Sequence, residues 1–247
     1  MNSLLSTQLR ELGVRPGGVL LVHSSLRSLG PMQGGAEALI LGLLEALGPQ
    51  GTLLLPALSY ASVGPDTPFF DLRHTPSCIG ALPEVFRTRP GTLRSIHPTH
   101  SVCAAGLRAA ELLTGHELDT TPVGPHSPFA RLPGLDGQIL FIGCGLRPNT
   151  SLHGVEEQVV PPYLFAASST YTIRLEPGQE LRMTVRNHSF AGWAQRYDRI
   201  AGLLGQPALR QGKVLQASCH LVEASALWPA AFQALRQDPL YFVEPTP

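Results

Sequence analysis

Lysine is nearly missing from this chain. Of its 18 basic residues one, Lys213, is lysine and the others are arginine. Charge of either sign is sparse, at 15% of residues, and 18 acidic residues cancel the 18 basic ones. Without an excess of positive charge there is no field to gather nucleic acid or an anionic membrane surface. Arginine's planar fork suits phosphate, although heavy arginine use also follows from genome composition. Cysteine is scarce. Cys78, Cys103, Cys144 and Cys219 stand far apart with no CxxC pair. That argues against a zinc ribbon or a disulfide framework, and free thiols suit a reducing cytoplasm. No apolar run reaches the roughly 18 residues of a membrane span. The opening MNSLLSTQLRELGVRPG reads as an amphipathic helix, because Arg10 and Glu11 interrupt any signal-peptide core. Neither a P-loop nor a GxGxxG stretch occurs, so ATP and NAD are not implied.

What the chain does have is apolar residues, 43% of its 247. That is enough for a sizeable core, and residues 1–247 read as one α/β domain. Leu4, Leu5, Leu9 and Leu12 have helical spacing, with Gly13 as a stop. Val19 to Val22 read as a short buried strand, AEALILGLLEALG as a helix, and Gly51 to Pro56 as a second strand. Apolar runs bounded by glycine and alternating with helices predict a parallel or mixed sheet covered on both faces. IGALPEVFRTRPG predicts a helix stopping before Pro90, SVCAAG a strand and LRAAELLTGH a helix. QILFIGCG (138–145) is the strongest buried-strand signal. SSTYTIRLE and ELRMTVRNH alternate with period two, as antiparallel strands do. AGWAQRYDRIAGLLG predicts a helix, KVLQASCHLVEA a strand or strand pair, and SALWPAAFQALRQDP a last helix. Residues 59–78 show no period and hold Pro65, Pro68 and Pro76, so they read as a long functional loop.

Three stretches carry candidate chemistry. VHSSLRSLG (22–30) sits at a strand's carboxyl end before a helix, where ligands of α/β sheets bind. Its backbone N–H groups and serines fit phosphate or amide oxygens, and the same serines fit plain helix caps. SIHPTHSV (95–102) brings His97 and His100 three residues apart. A catalytic zinc site wants three protein ligands. His74, His116 and His126 are candidates for the third, and no metal is assigned. NTSLHGVEE (149–157) follows the 138–145 strand. Asn149, Thr150 and Ser151 are cap types, so a helix starts near Thr150 or Ser151 and puts His153 in its first turn. A helix N-terminus disfavours imidazolium and keeps the ring a proton acceptor, while a nearby carboxylate raises its basicity. The alternative is a first-turn histidine beside solvated capping glutamates.

Taken together and in order, VHSSLRSLG, GTLLLPALSY, GALPEVFRTRPGTLRSIHPTHSVCAAG, GPHSPFARL, ILFIGCGLRPNTSLHGVEE and the late DPLYF resemble the aminoglycoside 3-N-acetyltransferase family. The resemblance covers almost the whole chain, and HPTHSV together with NTSLH is its most specific part. It implies a three-layer α/β/α fold with a central mixed sheet, a smaller antiparallel region in the second half and a long cofactor cleft. It implies an acetyl-CoA-dependent N-acetyltransferase acting on an amine, with the 3-amino group of aminoglycosides as candidate acceptor. Acetyl-CoA is the co-substrate.

Carried over by motif, Ser24, Ser25, Leu26, Ser28 and Leu29 would line the pantetheine and phosphate path. His97, His100, Ser101 and Val102 would wall the site. His153 would be the general base, with Thr150 near the thioester. Glu156 is the motif's own carboxylate, and Asp198 is the second candidate partner. Cys144 is a rival nucleophile for a covalent route.

The chain departs from the family in its charge. Polycationic acceptors call for clustered carboxylates, and residues 59–78 offer Asp66 and Asp71 beside Arg73 and His74, with Asp119, Glu156 and Glu157 elsewhere. Two other function classes stay open: a CoA- or ligand-binding member without turnover, and a metal-dependent hydrolase using His97 and His100. The segments of Trp193, Tyr197 and Trp228 are candidates for a homodimer surface.

Overall fold

A computed structural model describes residues 2–246. The first half runs α1 (Asn2–Leu12), β1 (Val19–Ser24), α2 (Gly35–Leu47), β2 (Thr52–Pro56), β3 (Phe69–Asp71), α3 (Ala81–Thr88), β4 (Leu93–Arg94), β5 (Val102–Gly106), α4 (Ala109–Leu113) and α5 (Pro128–Arg131). The second half runs β6 (Gln138–Ile142), α6 (Leu152–Val159), β7 (Phe165–Glu176), β8 (Gln179–His188), β9 (Trp193–Gln195), β10 (Leu209–Val214), β11 (Ala217–Glu223), α7 (Ala224–Gln237) and β12 (Val243–Pro245).

Seven strands form one mixed sheet in the order β10-β11-β6-β1-β2-β5-β4. Its centre, β6-β1-β2, is parallel, and antiparallel strands flank it on both sides. β1 shows why the centre reads as an unbroken apolar run. Val19 and Leu21 face one core with Phe141, Leu152 and Leu227, while Leu20 and Val22 face the other with Leu9, Leu43 and Phe86. A strand buried on both faces has no polar side to alternate with. Each leucine so buried contributes about 1.5–3 kcal/mol, so the strands that end at the site are firmly held. Helices α1, α2 and α3 cover one face, and α4, α6 and α7 the other.

Two expectations fail here. Residues 59–78 are not structureless, because β3 pairs in parallel with β7 and buries Phe70 in a third core with Tyr171 and Ile173. The pairing partner lies in the other half of the chain, so no local pattern announces it. AGWAQRYDRIAGLLG is not an α-helix. Gly192 sits at φ 79, β9 pairs with β12, and a 3-10 turn covers Tyr197–Gly202. The Trp193, Tyr197 and Trp228 side chains expected at an exposed surface are themselves covered or half-covered. Tyr197 is 1% and Trp228 8% exposed, and Trp193 lines an internal cavity. Among the described residues no helix is long and apolar enough to cross a membrane.

Candidate active site

The carboxyl ends of the parallel strands open into a cavity of about 770 Å³, within the usual range for small-molecule sites. His23 and Ser24 from β1, Pro56 from β2 and Cys144 just past β6 reach its wall. β1 lies between β2 and β6, the switch point where α/β sheets leave a crevice. The loop after β6 then turns into α6, which starts on Ser151 and carries His153 in its first turn.

Two contacts fix α6 against α7. Trp228 Nε1 donates to Ser151 Oγ at 2.9 Å, and Gly154 leaves no room for a side chain. A Cβ there would overlap the Trp228 ring and lie 2.8 Å from Val123 Cγ1.

His153 lines the cavity and is 7% exposed. Its Nδ1 lies 3.0 Å from Glu156 Oε2 and 2.8 Å from the Tyr197 hydroxyl. Glu156 is fully buried and also accepts from Tyr197 (2.6 Å) and Tyr163 (2.7 Å). Each phenol has one proton, and both protons point at the carboxylate. Nδ1 therefore donates, and the lone pair of the neutral ring rests on Nε2. Burial first, then the charge of Glu156, pushes both phenols well above their ordinary value. They stay protonated donors.

Other imidazoles crowd the same wall. The His153 ring centre lies 4.8 Å from His188 and 6.0 Å from His100. Burial, then neighbouring histidines, holds His100 and His188 well below the ordinary imidazole value. His23 stacks on Phe141 at 5.1 Å, and burial lowers it to about 3. These three rings are uncharged at neutral pH. Behind His188, Glu157 Oε1 lies 2.8 Å from Nε2, and burial pushes that carboxyl up to about 7. Asn149 is fully buried at the cavity wall, with no partner for either side-chain amide atom.

Of the residues singled out in the sequence, the cavity collects His153, Thr150, Ser24 and His100, with Glu156 directly behind His153. Cys144 and Asn149 also reach its wall, and the remaining candidates lie elsewhere. Asp198 takes Arg196 at 2.9 Å and Arg147 at 3.5 Å, on the outside of its turn, while its neighbour Tyr197 enters the site. Leu29 is core, Ser28 Oγ donates to Ser25 O, and Leu26 packs on the second core. Ser25 sends its N–H to Ile142 O and does not reach the cavity wall. Ser101 donates to Ala57 O, and Val102 is core. His97 Nδ1 accepts from the Thr99 and His100 backbone, and its ring stacks on His116 at 4.8 Å with the His100 ring edge-on at 6.0 Å. Among the described residues the imidazoles close enough to share an ion are His100, His153 and His188, and His97 is not one of them.

Cys144 does line the cavity, but it lies beyond β6 rather than inside it. Burial raises its thiol to about 11, so it is not a thiolate at neutral pH. Among the described residues no aspartate or glutamate lines the cavity. Asp71 is taken up by His74 and the Arg73 N–H, and Asp119 by His126.

Sequence reasoning missed Tyr163, Tyr197, His188 and Phe190. His188 ends β8 and Phe190 lies two residues beyond it, in RNHSF, where a histidine closes a period-two strand. That was the available signal.

Comparison with known proteins gives a consistent picture. A family model described as aminoglycoside 3-N-acetyltransferase matches residues 21–236. Aminoglycoside N(3)-acetyltransferase IV of Salmonella sp is 36% identical over 244 residues, covering 96% of this chain and 88% of that protein. The crystal structure of a histidine-to-alanine mutant of aminoglycoside acetyltransferase AAC(3)-IVa, in complex with a gentamicin, is 34% identical with a TM-score of 0.84. That match covers 99% of this chain and 91% of that one. AAC-IIIb in a binary complex with CoASH is 28% identical with a TM-score of 0.82, covering 100% and 99%.

Proposed function

Because the chain belongs to the aminoglycoside 3-N-acetyltransferase family, we propose that it transfers acetyl from acetyl-CoA to the 3-amino group of an aminoglycoside. The single observation that carries the catalytic reading is the hydrogen-bonded group His153–Glu156–Tyr197 at the cavity wall.

An amine attacks a thioester only as the free base, and most amines are ammonium ions near neutral pH. His153 Nε2 takes the proton. Glu156 holds Nδ1–H and steadies the imidazolium that forms, while Tyr197 and Tyr163 keep the carboxylate in place. The amine nitrogen bonds to the thioester carbon and the carbonyl becomes an oxyanion; as it collapses the C–S bond breaks, the nitrogen's surplus proton goes to the departing sulfur to give CoA thiol, and the imidazolium returns its proton to water. Asn149 and Thr150 offer donors for that oxyanion. Both substrates are bound together, and the raised Cys144 thiol favours this direct route over a covalent one. Ser24 at the end of β1 marks the cofactor's approach, with Ser25 and Leu26 at its margin.

The polar part of the wall is imidazole, hydroxyl and amide, and the rest is aromatic, aliphatic and proline side chains. The acceptor is therefore held by hydrogen bonds and ring contacts, with no salt bridge from the wall itself. Residues 1–247 act as one unit, in the cytoplasm, where free Cys78, Cys103, Cys144 and Cys219 remain reduced.

The test is CoA-thiol release with an aminoglycoside panel. His153→Ala is expected to lower kcat by roughly 10²–10⁴-fold while CoA still stabilises the protein in a thermal shift. Unchanged turnover refutes the base assignment. CoA binding with no release by the unmodified protein refutes the enzymatic reading.

A further inference from the structure

Three imidazoles from distant parts of the chain meet at the cavity: His100 before β5, His153 in α6 and His188 at the end of β8. Each offers one nitrogen, and these three atoms lie within 4.8 Å of one another. In each ring one nitrogen is anchored to an oxygen. His153 Nδ1 meets Glu156 Oε2 at 3.0 Å, His188 Nε2 meets Glu157 Oε1 at 2.8 Å, and His100 Nδ1 meets Thr99 Oγ1 at 2.9 Å. That leaves the opposite nitrogen of each ring. The one on His188, Nδ1, is buried without any partner.

This is the arrangement that metal-binding histidines show, with one ring nitrogen on the ion and the other backed by a carboxylate or another oxygen. Three histidines with one side open to a cavity also match the ligand count of an open zinc site. Zinc–nitrogen bonds of about 2.0–2.1 Å at tetrahedral angles require nitrogens about 3.3 Å apart. Nitrogens within 4.8 Å of one another must therefore approach by up to about 1.5 Å when an ion binds. We propose that His100, His153 and His188 form a binding site for a divalent transition-metal ion of the zinc class, and that its occupation switches the transferase off. The inhibitory half rests on His153 as the base: a metal on Nε2 removes the lone pair that would accept the substrate's proton.

The experiment titrates metal-free protein, made without a histidine tag, with Zn²⁺ against a chromophoric chelator. One ion per chain is expected. His188→Asn and His100→Asn should each weaken binding by at least about 100-fold, and Glu157→Gln, which alters the backing of His188 and keeps an oxygen for the Val123 N–H, by roughly 10-fold. His74→Gln and His126→Gln, which alter histidines paired with Asp71 and Asp119, should leave zinc affinity unchanged. Stoichiometric Zn²⁺ should stop CoA release, and EDTA should restore it. Zinc affinity that survives His188→Asn overturns the site. Zinc bound at the site without loss of turnover overturns the switch. A metal-free protein that binds zinc this way but never releases CoA leaves the site standing and refutes the proposed function instead.

Discussion

Acidification offers the sharpest test of how the site is built. The fold buries His23, His97, His100, His116 and His188 and holds all five below their ordinary value of 6.5, with desolvation the largest cause. Two of them, His23 and His116, fall to about 3. In the unfolded chain the same rings take up protons as pH drops through 6.5, whereas the native rings do not. The unfolded state then binds more protons, so native stability falls with pH below 6.5. Between pH 7.5 and 5.5 each ring costs about 1.4 kcal/mol, or about 7 kcal/mol for five. Glu157 works in the other direction. Its carboxyl is raised from 4.5 to about 7, so the native state gains a proton first and recovers about 2 kcal/mol.

The net loss is about 5 kcal/mol, a large share of the roughly 5–15 kcal/mol that holds a typical domain together. Urea unfolding followed by tryptophan fluorescence at both pH values, with EDTA present, reads this directly. His116→Phe, in the core away from the cavity, should remove about 1.4 kcal/mol, a little over a quarter of the net pH dependence. Equal stability at pH 7.5 and 5.5, to within about 1 kcal/mol, would show that the buried rings are not held neutral, and the account of the cavity wall would fall with it.

Two further outcomes follow from the geometry. Gly154→Ala should lower Tm despite alanine's helix advantage of about 1 kcal/mol, because the added methyl overlaps Trp228 and such overpacking costs about 1–3 kcal/mol. The same shift of α6 moves His153 and should lower kcat/KM on the order of 10²-fold; a raised Tm with full activity contradicts the packing argument. With no carboxylate on the cavity wall, raising NaCl from about 50 to about 500 mM should change the acceptor KM by less than roughly threefold. A tenfold rise would mean that acidic side chains hold the acceptor after all.

Much of the sheet was legible because its signals are local. β1, β2 and β6 are apolar runs with small or turn-forming residues at their ends, and the helices between them carry one apolar face. The period-two stretches became β7 and β8, paired antiparallel. Failure came where partners are remote. β3 needs β7 and β9 needs β12, so neither strand exists as a pattern within its own segment. The site divides the same way. His153 and Glu156 are three apart on one helix, and that spacing already brings an imidazole to a carboxylate.

Asp198 and Tyr197 show what spacing leaves undetermined. A 3-10 turn sends adjacent residues in different directions, and the arginines around Asp198 claim its charge, while Tyr197 turns inward to Glu156.

The sequence by itself determined which segments form the strands and helices of the layered α/β framework, and the His153–Glu156 pair, because apolar periodicity and a three-residue helical spacing are local signals. Only the tertiary structure decided which side chains surround that pair. The two phenols, the neutral His100 and His188, and the carboxylate-free wall come from segments far apart in sequence. Long-range packing and desolvation, which no local pattern encodes, bring them to one cavity and set their charge.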